Sequence, residues 1–302
     1  MLDGARIFHV NVNCSDLARS HAFYVDGCGL TDGVRTTPER AQDGIAFGID
    51  QVRWDAWILV GSAGFDGGAV DLLEWHEPLP SGAAPSVLYD AGLQRIGLQV
   101  CDLDVAIVNA CACGGVVWSE PIAHELPDGG RVRLVLMSDP DGVAVELIAG
   151  DTNRVSFVAV TCSVLQRSVA FYTALGFREL ARFPSTSDSA PHLRVDGPVS
   201  MVEVLMRAPG PSDVHLMLVG FDQPIVRPNA PRSANAVGLW RTALLLPELD
   251  RAVSALRDAK IELLSEPQTM SMGPGLPDLR FVCLRGPDHE VIELIEQPSS
   301  AP

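Results

Sequence analysis

Two carboxylates stand inside apolar, strand-like runs, and each follows a turn that contains Pro-Asp. Glu146 comes after the sequence DPDG at 139–142, and Glu293 comes after GPDH at 286–289. A Pro-Asp pair favours a turn, and a glutamate is rarely buried without a partner. Because a buried carboxylate can move a proton or hold a cation, both glutamates are candidates for a functional site.

The first apolar run of the chain adds an imidazole to these candidates. Phe8, Val10 and Val12 should lie under the helix that follows, because successive side chains of a strand face opposite sides. The same alternation turns His9, Asn11 and Asn13 toward the other face. Histidine is the side chain best suited to proton transfer near neutral pH. We therefore expect a polar face on this strand.

The elements that position these residues occur twice in the chain. Residues 15–24 (SDLARSHAFY) recur 148 positions later as residues 163–172 (SVLQRSVAFY), identical at seven of ten positions. Residues 102–121 recur 146 positions later as residues 248–267, and both segments end in Ser-Glu-Pro. A repeat at this spacing predicts similar structural units. With 302 residues and 47% apolar content, the chain is expected to form two domains, 1–150 and 151–302.

Each half contains two units with the element order β-α-β-β-β. A short alternating run is followed by helical spacing and then by further strand-like runs. Glycine, proline and serine gather between the units, as is typical of surface connections. The predicted class is α+β. The four units are placed at residues 7–76, 93–149, 155–220 and 239–297.

Composition excludes several classes of partner. The net charge of −16 repels phosphate backbones and anionic lipids, so neither nucleic acid nor a membrane is expected as a partner. No apolar run approaches the about 20 residues needed to span a bilayer, and the N-terminus lacks a signal peptide's basic cluster. The seven cysteines form no CxxC pair, which favours reduced thiols. These features predict a cytoplasmic protein.

Together these residues resemble the vicinal oxygen chelate superfamily, which includes glyoxalase I, extradiol dioxygenases, fosfomycin-resistance enzymes and bleomycin-resistance proteins. The resemblance covers nearly the whole chain and rests on the four modules, the helix opening DLxxSxxFY and the strand motif DPDGxxxEL. It implies two tandem domains of the glyoxalase/bleomycin-resistance type, in which two modules curl into an open cup. It also implies that metal ligands, where a member has them, project into the cup from the first and last strands of each module.

The resemblance places four residues of each half at those ligand positions. In the first half they are His9, Asp71, Arg95 and Glu146. In the second half they are Phe157, His215, Arg241 and Glu293. Phenylalanine cannot bind a metal and arginine stays protonated, so no metal is expected in the second half.

The inward arginines require partners, because an unpaired charge inside a sheet is costly. We expect Arg95 to pair with Glu146, and Arg241 to pair with Glu293, as salt bridges at the place where relatives hold a metal. One interpretation is that these bridges only replace the ion as a tie between modules. The other is that the arginine holds a substrate carboxylate or oxyanion.

The two cups differ in polarity if each is built within one half of the chain. The first would then be strongly polar and the second mostly apolar, and pairing of modules across the halves remains the alternative. The candidates for an aromatic wall against a flat ligand are Trp54, Trp57 and Trp75, and one or two of them would form it. The expected lining of the first cup is His9, Asn11, Asn13, Asp71, Arg95, Gln99 and Glu146.

The leading functional interpretation is a small-molecule enzyme that performs acid/base chemistry without a metal on an oxygen-rich or carbonyl substrate. The reaction would be an isomerisation, elimination or cyclisation. His9 and Glu146 would form the acid/base pair, Arg95 would hold the anion or oxyanion, and Asp71 would orient His9. The expected substrate-binding residues are Asn11, Gln99, Trp57, His215, Arg241 and Glu293.

Two other functions remain open at this point. One is a metal-dependent dioxygenase or lyase that binds Fe, Mn or Zn through His9, Asp71 and Glu146, a donor set that suits these ions. Against it stands Arg95, whose charge would oppose the ion. The other is a binding protein of the bleomycin-resistance type. The expected partner is a small molecule in every case, and the protein is expected to be a monomer or a homodimer.

Overall fold

The computed structural model describes residues 1–125 and 130–297. Its elements follow the four expected modules. Module one contains β1 (Arg6–Cys14), α1 (Leu17–Ala22), β2 (Thr31–Thr36), β3 (Gln42–Asp43), β4 (Gln51–Gly61) and β5 (Gly64–Glu77). Module two contains β6 (Gly92–Val100), α2 (Leu103–Ala112), β7 (Val116–Val117), β8 (Ile122–Glu125), β9 (Arg131–Ser138) and β10 (Ala144–Ala149).

The second half repeats this order. Module three contains β11 (Arg154–Thr161), α3 (Leu165–Leu175), β12 (Arg178–Ser187), β13 (Val199–Arg207) and β14 (His215–Gln223). Module four contains β15 (Gly238–Leu246), α4 (Leu249–Asp258), β16 (Gln268–Met270), β17 (Leu279–Arg285) and β18 (Val291–Glu296). The α+β class with two curled sheets is confirmed. The division into domains at residue 150 stays a prediction.

Each sheet combines a module from each half of the chain. Modules one and four form a nine-stranded sheet in which β1 pairs antiparallel with β15. Modules two and three form the other nine-stranded sheet, in which β6 pairs antiparallel with β11. The cup lining that was expected within the first half is therefore wrong. We call the two concave faces the outer-module cup (modules one and four) and the inner-module cup (modules two and three).

The repeated helix motif ties the two modules of each half together. In the first half, Asp141 accepts hydrogen bonds from the backbone N–H of Ser15 at 2.8 Å and from Arg19 at 2.6 Å. The Tyr24 hydroxyl donates to Asp139 at 3.1 Å. The motif that reveals the repeat therefore joins the first helix of a half to the turn of its second module.

The second half makes the same connection, but the acid that accepts the tyrosine hydrogen bond comes from a different position of the motif. Asp288 binds the backbone N–H of Ser163 at 3.0 Å, and the Tyr172 hydroxyl donates to Glu290 at 2.8 Å. Gly286 stands where the first half has an aspartate. A Cβ atom on Gly286 would lie 2.0 Å from the carboxylate of Glu290, so the glycine leaves room for an acid supplied from the strand.

Hydrophobic periodicity packs the helices against the sheets. In α4 the buried residues are Leu249, Ala252, Val253 and Leu256, a spacing that places them on one helical face. The largest buried apolar cluster draws residues from all four modules. Within the described ranges, no helix is long and apolar enough to cross a membrane.

Candidate functional site

Four adjacent strands of the outer-module cup bring one imidazole, two carboxylates and one guanidinium together. His9 lies on β1, Asp71 on β5, Arg241 on β15 and Glu293 on β18. The strands lie in the order β18, β15, β1 and β5. All four side chains are buried. The first half of the chain thus supplies His9 and Asp71, and the second half supplies the ion pair.

Arg241 connects the two carboxylates of this cluster. Its Nε donates to Glu293 Oε2 at 2.8 Å, and its Nη2 donates to Asp71 Oδ2 at 2.7 Å. The predicted pairing of Arg241 with Glu293 is confirmed. Burial alone would raise the pKa of Glu293, but the charge of Arg241 and the contact with His9 lower it to about 2. Glu293 is therefore ionised at neutral pH.

His9 lies beside both carboxylates without a hydrogen bond to either. Its Nε2 is 3.4 Å from Glu293 Oε2 and 3.7 Å from Asp71 Oδ2. Three buried atoms of the cluster have no hydrogen-bond partner among the described residues. They are the two ring nitrogens of His9 and Nη1 of Arg241. Buried polar groups are seldom left without a partner. These atoms are available to a ligand.

The asparagines of β1 support the residues around the cluster through hydrogen bonds and do not line the cavity. Asn11 donates to the Asp71 carboxylate at 3.2 Å, and Asn13 accepts from the Trp75 indole at 3.0 Å. Both asparagines are fully buried. Neither lies among the residues that line the cavity. Asn11, which was expected to bind substrate, supports Asp71 instead.

The cluster forms one wall of a cavity of about 230 Å³. The other walls are mostly apolar and aromatic, with Phe47, Trp54, Trp75 and Phe281 among them. Phe8, which was expected under the helix, also lines the cavity, and the register of β1 against β15 shifts between Ile7 and His9. Trp54 and Trp75, two of the three candidates for an aromatic wall, line the cavity. Trp57, which was also expected to bind substrate, packs against His21 and Arg35 on the other side of the sheet. It lies three positions from Trp54 on one strand, and such residues face opposite sides.

Arg95 and Glu146 lie in the inner-module cup, away from His9 and Asp71. Arg95 Nε is 3.0 Å from Glu146 Oε2, which confirms the predicted pair. The guanidinium also binds Glu203 of β13 through Nη2. The expected site of His9, Asp71, Arg95 and Glu146 is therefore not assembled, because it combines residues from two different sheets.

The inner-module cup encloses a cavity of about 410 Å³. Gln99, which was expected to bind substrate, lines it together with His124 and His192. Phe157 lies under Arg95, with the guanidinium carbon 5.5 Å from the ring centre. His215 lies outside the lining of both cavities. Phe157 therefore occupies, in the inner-module cup, the position that His9 occupies in the outer-module cup.

Glu203 is a functional candidate that the sequence interpretation missed, and His192 is a second candidate whose direction the sequence does not predict. Glu203 shares one face of its strand with Met201 and Leu205, which also line the cavity. A carboxylate between two apolar residues of the same strand face is the signal that could have identified it. Burial lowers the pKa of His192, and Arg95 acts in the same direction. His192 sits in a short turn at 191–193, where periodicity gives no direction.

The residues of the outer-module cup do not fit a divalent metal. The set His9, Asp71 and Glu146 is divided between the cups. In the set His9, Asp71 and Glu293, both carboxylates already bind Arg241, whose positive charge opposes an ion. Within residues 1–125 and 130–297, no group of three or more His, Cys, Asp or Glu side chains is arranged to hold a metal ion.

Residues 154–294 match the family model described as Glyoxalase/Bleomycin resistance protein/Dioxygenase superfamily. The chain carries a domain of this superfamily. The resemblance to the vicinal oxygen chelate superfamily is thereby confirmed. No curated protein matches the chain in sequence.

Solved structures extend the fold to the whole chain. Glyoxalase I from Zea mays has 18% identity and a TM-score of 0.67, with 97% of this chain and 92% of that chain covered. A putative dioxygenase from Bacillus subtilis subsp. subtilis str. 168 has 12% identity and a TM-score of 0.64, with 99% of this chain and 87% of that chain covered. At such identities the likeness shows the fold.

Proposed function

We propose that the outer-module cup catalyses metal-independent proton transfer on a small carbonyl or hydroxy-carbonyl compound with an apolar body. The observation that carries this proposal is the unbonded, buried imidazole of His9 beside an ionised carboxylate in the wall of an apolar cavity. A histidine so placed can accept a proton from a substrate and return it to a neighbouring atom. Isomerisation, elimination and ring closure all proceed through such a step.

The other members of the cluster have complementary roles in this reaction. The carboxylate of Glu293 stabilises the imidazolium that forms when His9 takes a proton. Arg241 keeps Nη1 free, and this N–H group can donate to the oxyanion of an enolate-like intermediate. Asp71 fixes the guanidinium through Nη2. This scheme keeps His9 and Asp71 from the sequence interpretation and replaces Arg95 and Glu146 with Arg241 and Glu293.

The experiment detects proton transfer without knowledge of the natural substrate. Purified protein is incubated in D₂O with a panel of aromatic α-hydroxy ketones and other enolisable carbonyl compounds, and deuterium incorporation is followed by NMR. We expect catalysed exchange that persists with a chelator present. His9→Phe, which introduces the residue that Phe157 provides in the other cup, should lower the rate by about 10²-fold or more.

A matched histidine variant serves as the control. His215 lies on β14, the last strand of module three, and lines neither cavity, so His215→Ala should leave exchange nearly unchanged. Equal losses in the two variants would contradict the placement of the reaction in the outer-module cup. Normal exchange in the His9 variant would refute the catalytic role of the imidazole.

A binding protein is the second candidate function. The mostly apolar lining of the cavity favours it, since such a cavity can hold a ligand without chemistry. Its expected result is tight binding of an apolar compound, with no exchange across the panel and no loss of affinity in the His9 variant.

A further inference from the structure

The inner-module cup is a second cavity whose base carries more negative than positive charge. Glu146 and Glu203 share a single guanidinium, that of Arg95, and all three side chains are buried. Arginine stays protonated at any relevant pH. These three side chains therefore either have a surplus of one negative charge or hold a proton on a glutamate. Arg154 also lines the cavity, and its Nη1 donates to the backbone carbonyl of Asp213 at 3.0 Å.

Each glutamate keeps one oxygen free of this ion pair. Arg95 contacts Oε2 of Glu146 and Oε1 of Glu203. The other oxygen of each carboxylate lies outside these contacts, and both side chains are about nine-tenths buried and line the cavity. Burial raises the pKa of Glu146, and the charge of Glu203 adds to this effect. The positive charge of a ligand would offset the repulsion between the carboxylates of Glu146 and Glu203.

The walls above this base suit an apolar body. Phe157 and Phe183 line the cavity together with Leu134, Met201 and Leu205. Aromatic faces attract organic cations as well as apolar groups. The protein as a whole carries a net charge of −16, which favours the approach of a cation.

We propose that the inner-module cup is a separate binding site for a small organic cation, a protonated amine attached to an aromatic or aliphatic body. The ammonium group binds the free oxygens of Glu146 and Glu203, and the body lies against the phenylalanines. This site is independent of the proposed reaction, because the two cavities share no lining residue. Phe157, in place of an imidazole, suits a binding role.

The test compares three probes of similar shape and different charge: benzylammonium, benzyl alcohol and benzoate. Binding to the purified protein is measured by ligand-observed NMR and calorimetry at pH 7.5, and the site is located by crystallography. We expect benzylammonium to bind in the inner-module cup at least about 10-fold more tightly than either other probe, a difference of about 1.4 kcal/mol. Tighter binding of benzoate, or no binding of benzylammonium, would refute the proposal.

Variants separate the charge from the shape of the site. Glu203→Gln should abolish the preference for benzylammonium, while Glu179→Gln, an exposed carboxylate on the neighbouring strand β12, should preserve it. Met201→Trp fills the cavity without a change in charge and should weaken all probes, and it serves as the test if Glu203→Gln does not fold. His9→Phe should leave benzylammonium binding unchanged. A preference that survives both Glu203→Gln and Met201→Trp would place the cation elsewhere and refute the proposal.

Discussion

The carboxyl group of Asp139 should make the stability of this protein depend on pH. Burial raises the pKa of Asp139 from 3.8 to about 7, against the hydrogen bonds from the backbone N–H groups of Asp141 and Val143. The folded state therefore holds a proton that the unfolded chain releases. The stabilising contribution is complete below pH 3.8 and is lost as the pH rises to about 7.

The size of this effect follows from the difference between the two pKa values. Each pKa unit corresponds to about 1.4 kcal/mol, so the rise from 3.8 to about 7 gives a change on the order of 4 kcal/mol between pH 4 and pH 8. Asp139→Asn should remove this dependence. An asparagine keeps the acceptor for the two backbone N–H groups, and its amide can donate to the Tyr24 hydroxyl, without an ionisable proton.

The assay is urea unfolding followed by circular dichroism at a series of pH values between 4 and 8. The free energy of unfolding of Asp139→Asn minus that of the wild-type protein should increase as the pH rises, because only the wild type loses this contribution to stability. Glu290→Gln should behave in the same way, because burial raises the pKa of Glu290 to about 7 in the second half. Asp66→Asn, at a carboxylate exposed on the surface, is the control. A difference between wild type and Asp139→Asn that is constant across this range would show that the folded state holds no extra proton on Asp139.

Other expected outcomes concern the two cups. Arg95→Met should raise the pKa of Glu146 further, because its carboxylate loses a positive neighbour, and a carboxyl titration by NMR that stays unchanged would contradict their contact. Trp54→Ala should weaken ligand binding in the outer-module cup, whereas Trp57→Ala should not, as measured by calorimetry with a compound from the exchange panel. Incubation with Zn²⁺ or Mn²⁺ should produce no anomalous scattering peak beside Arg241, and a peak bonded to Asp71 and Glu293 would overturn the fit argument.

Local periodicity was sufficient to predict the modules and the faces of several strands. The alternation of β1 places His9 and Asn11 away from the helix, and the motif positions place Arg95 beside Glu146 and Arg241 beside Glu293. These contacts are local to one module, where the first and last strands pair directly. Sequence patterns therefore determine which side chains meet inside a module.

The pairing between modules could not be predicted in the same way. Alternation shows which face of a strand a residue occupies, but it does not show which module lies across the free edge of that strand. The free edges of β6 and β15 are similar in length and composition, so either could have paired with β1. The choice of β15 separates His9 from Glu146 and brings it to Glu293.

The cross-pairing of modules explains how two similar halves produce two different cups. The second module of each half contributes the same arginine and glutamate to its cup, Arg95 with Glu146 and Arg241 with Glu293. The first module of each half supplies the part that differs. His9 faces one ion pair and Phe157 faces the other, where Gly97 leaves room for the ring, since a Cβ there would lie 2.3 Å from it.

The positions that stayed the same and those that diverged therefore have different physical roles. Ser15 and Tyr24 match Ser163 and Tyr172, because each pair hydrogen-bonds to the segment before the last strand in the second module of its own half. The first strands carry no such constraint on their cup-facing side chains. A change on one first strand alters the chemistry of one cup and leaves the joint between modules intact, so the imidazole can be kept in one cup and replaced by an aromatic ring in the other.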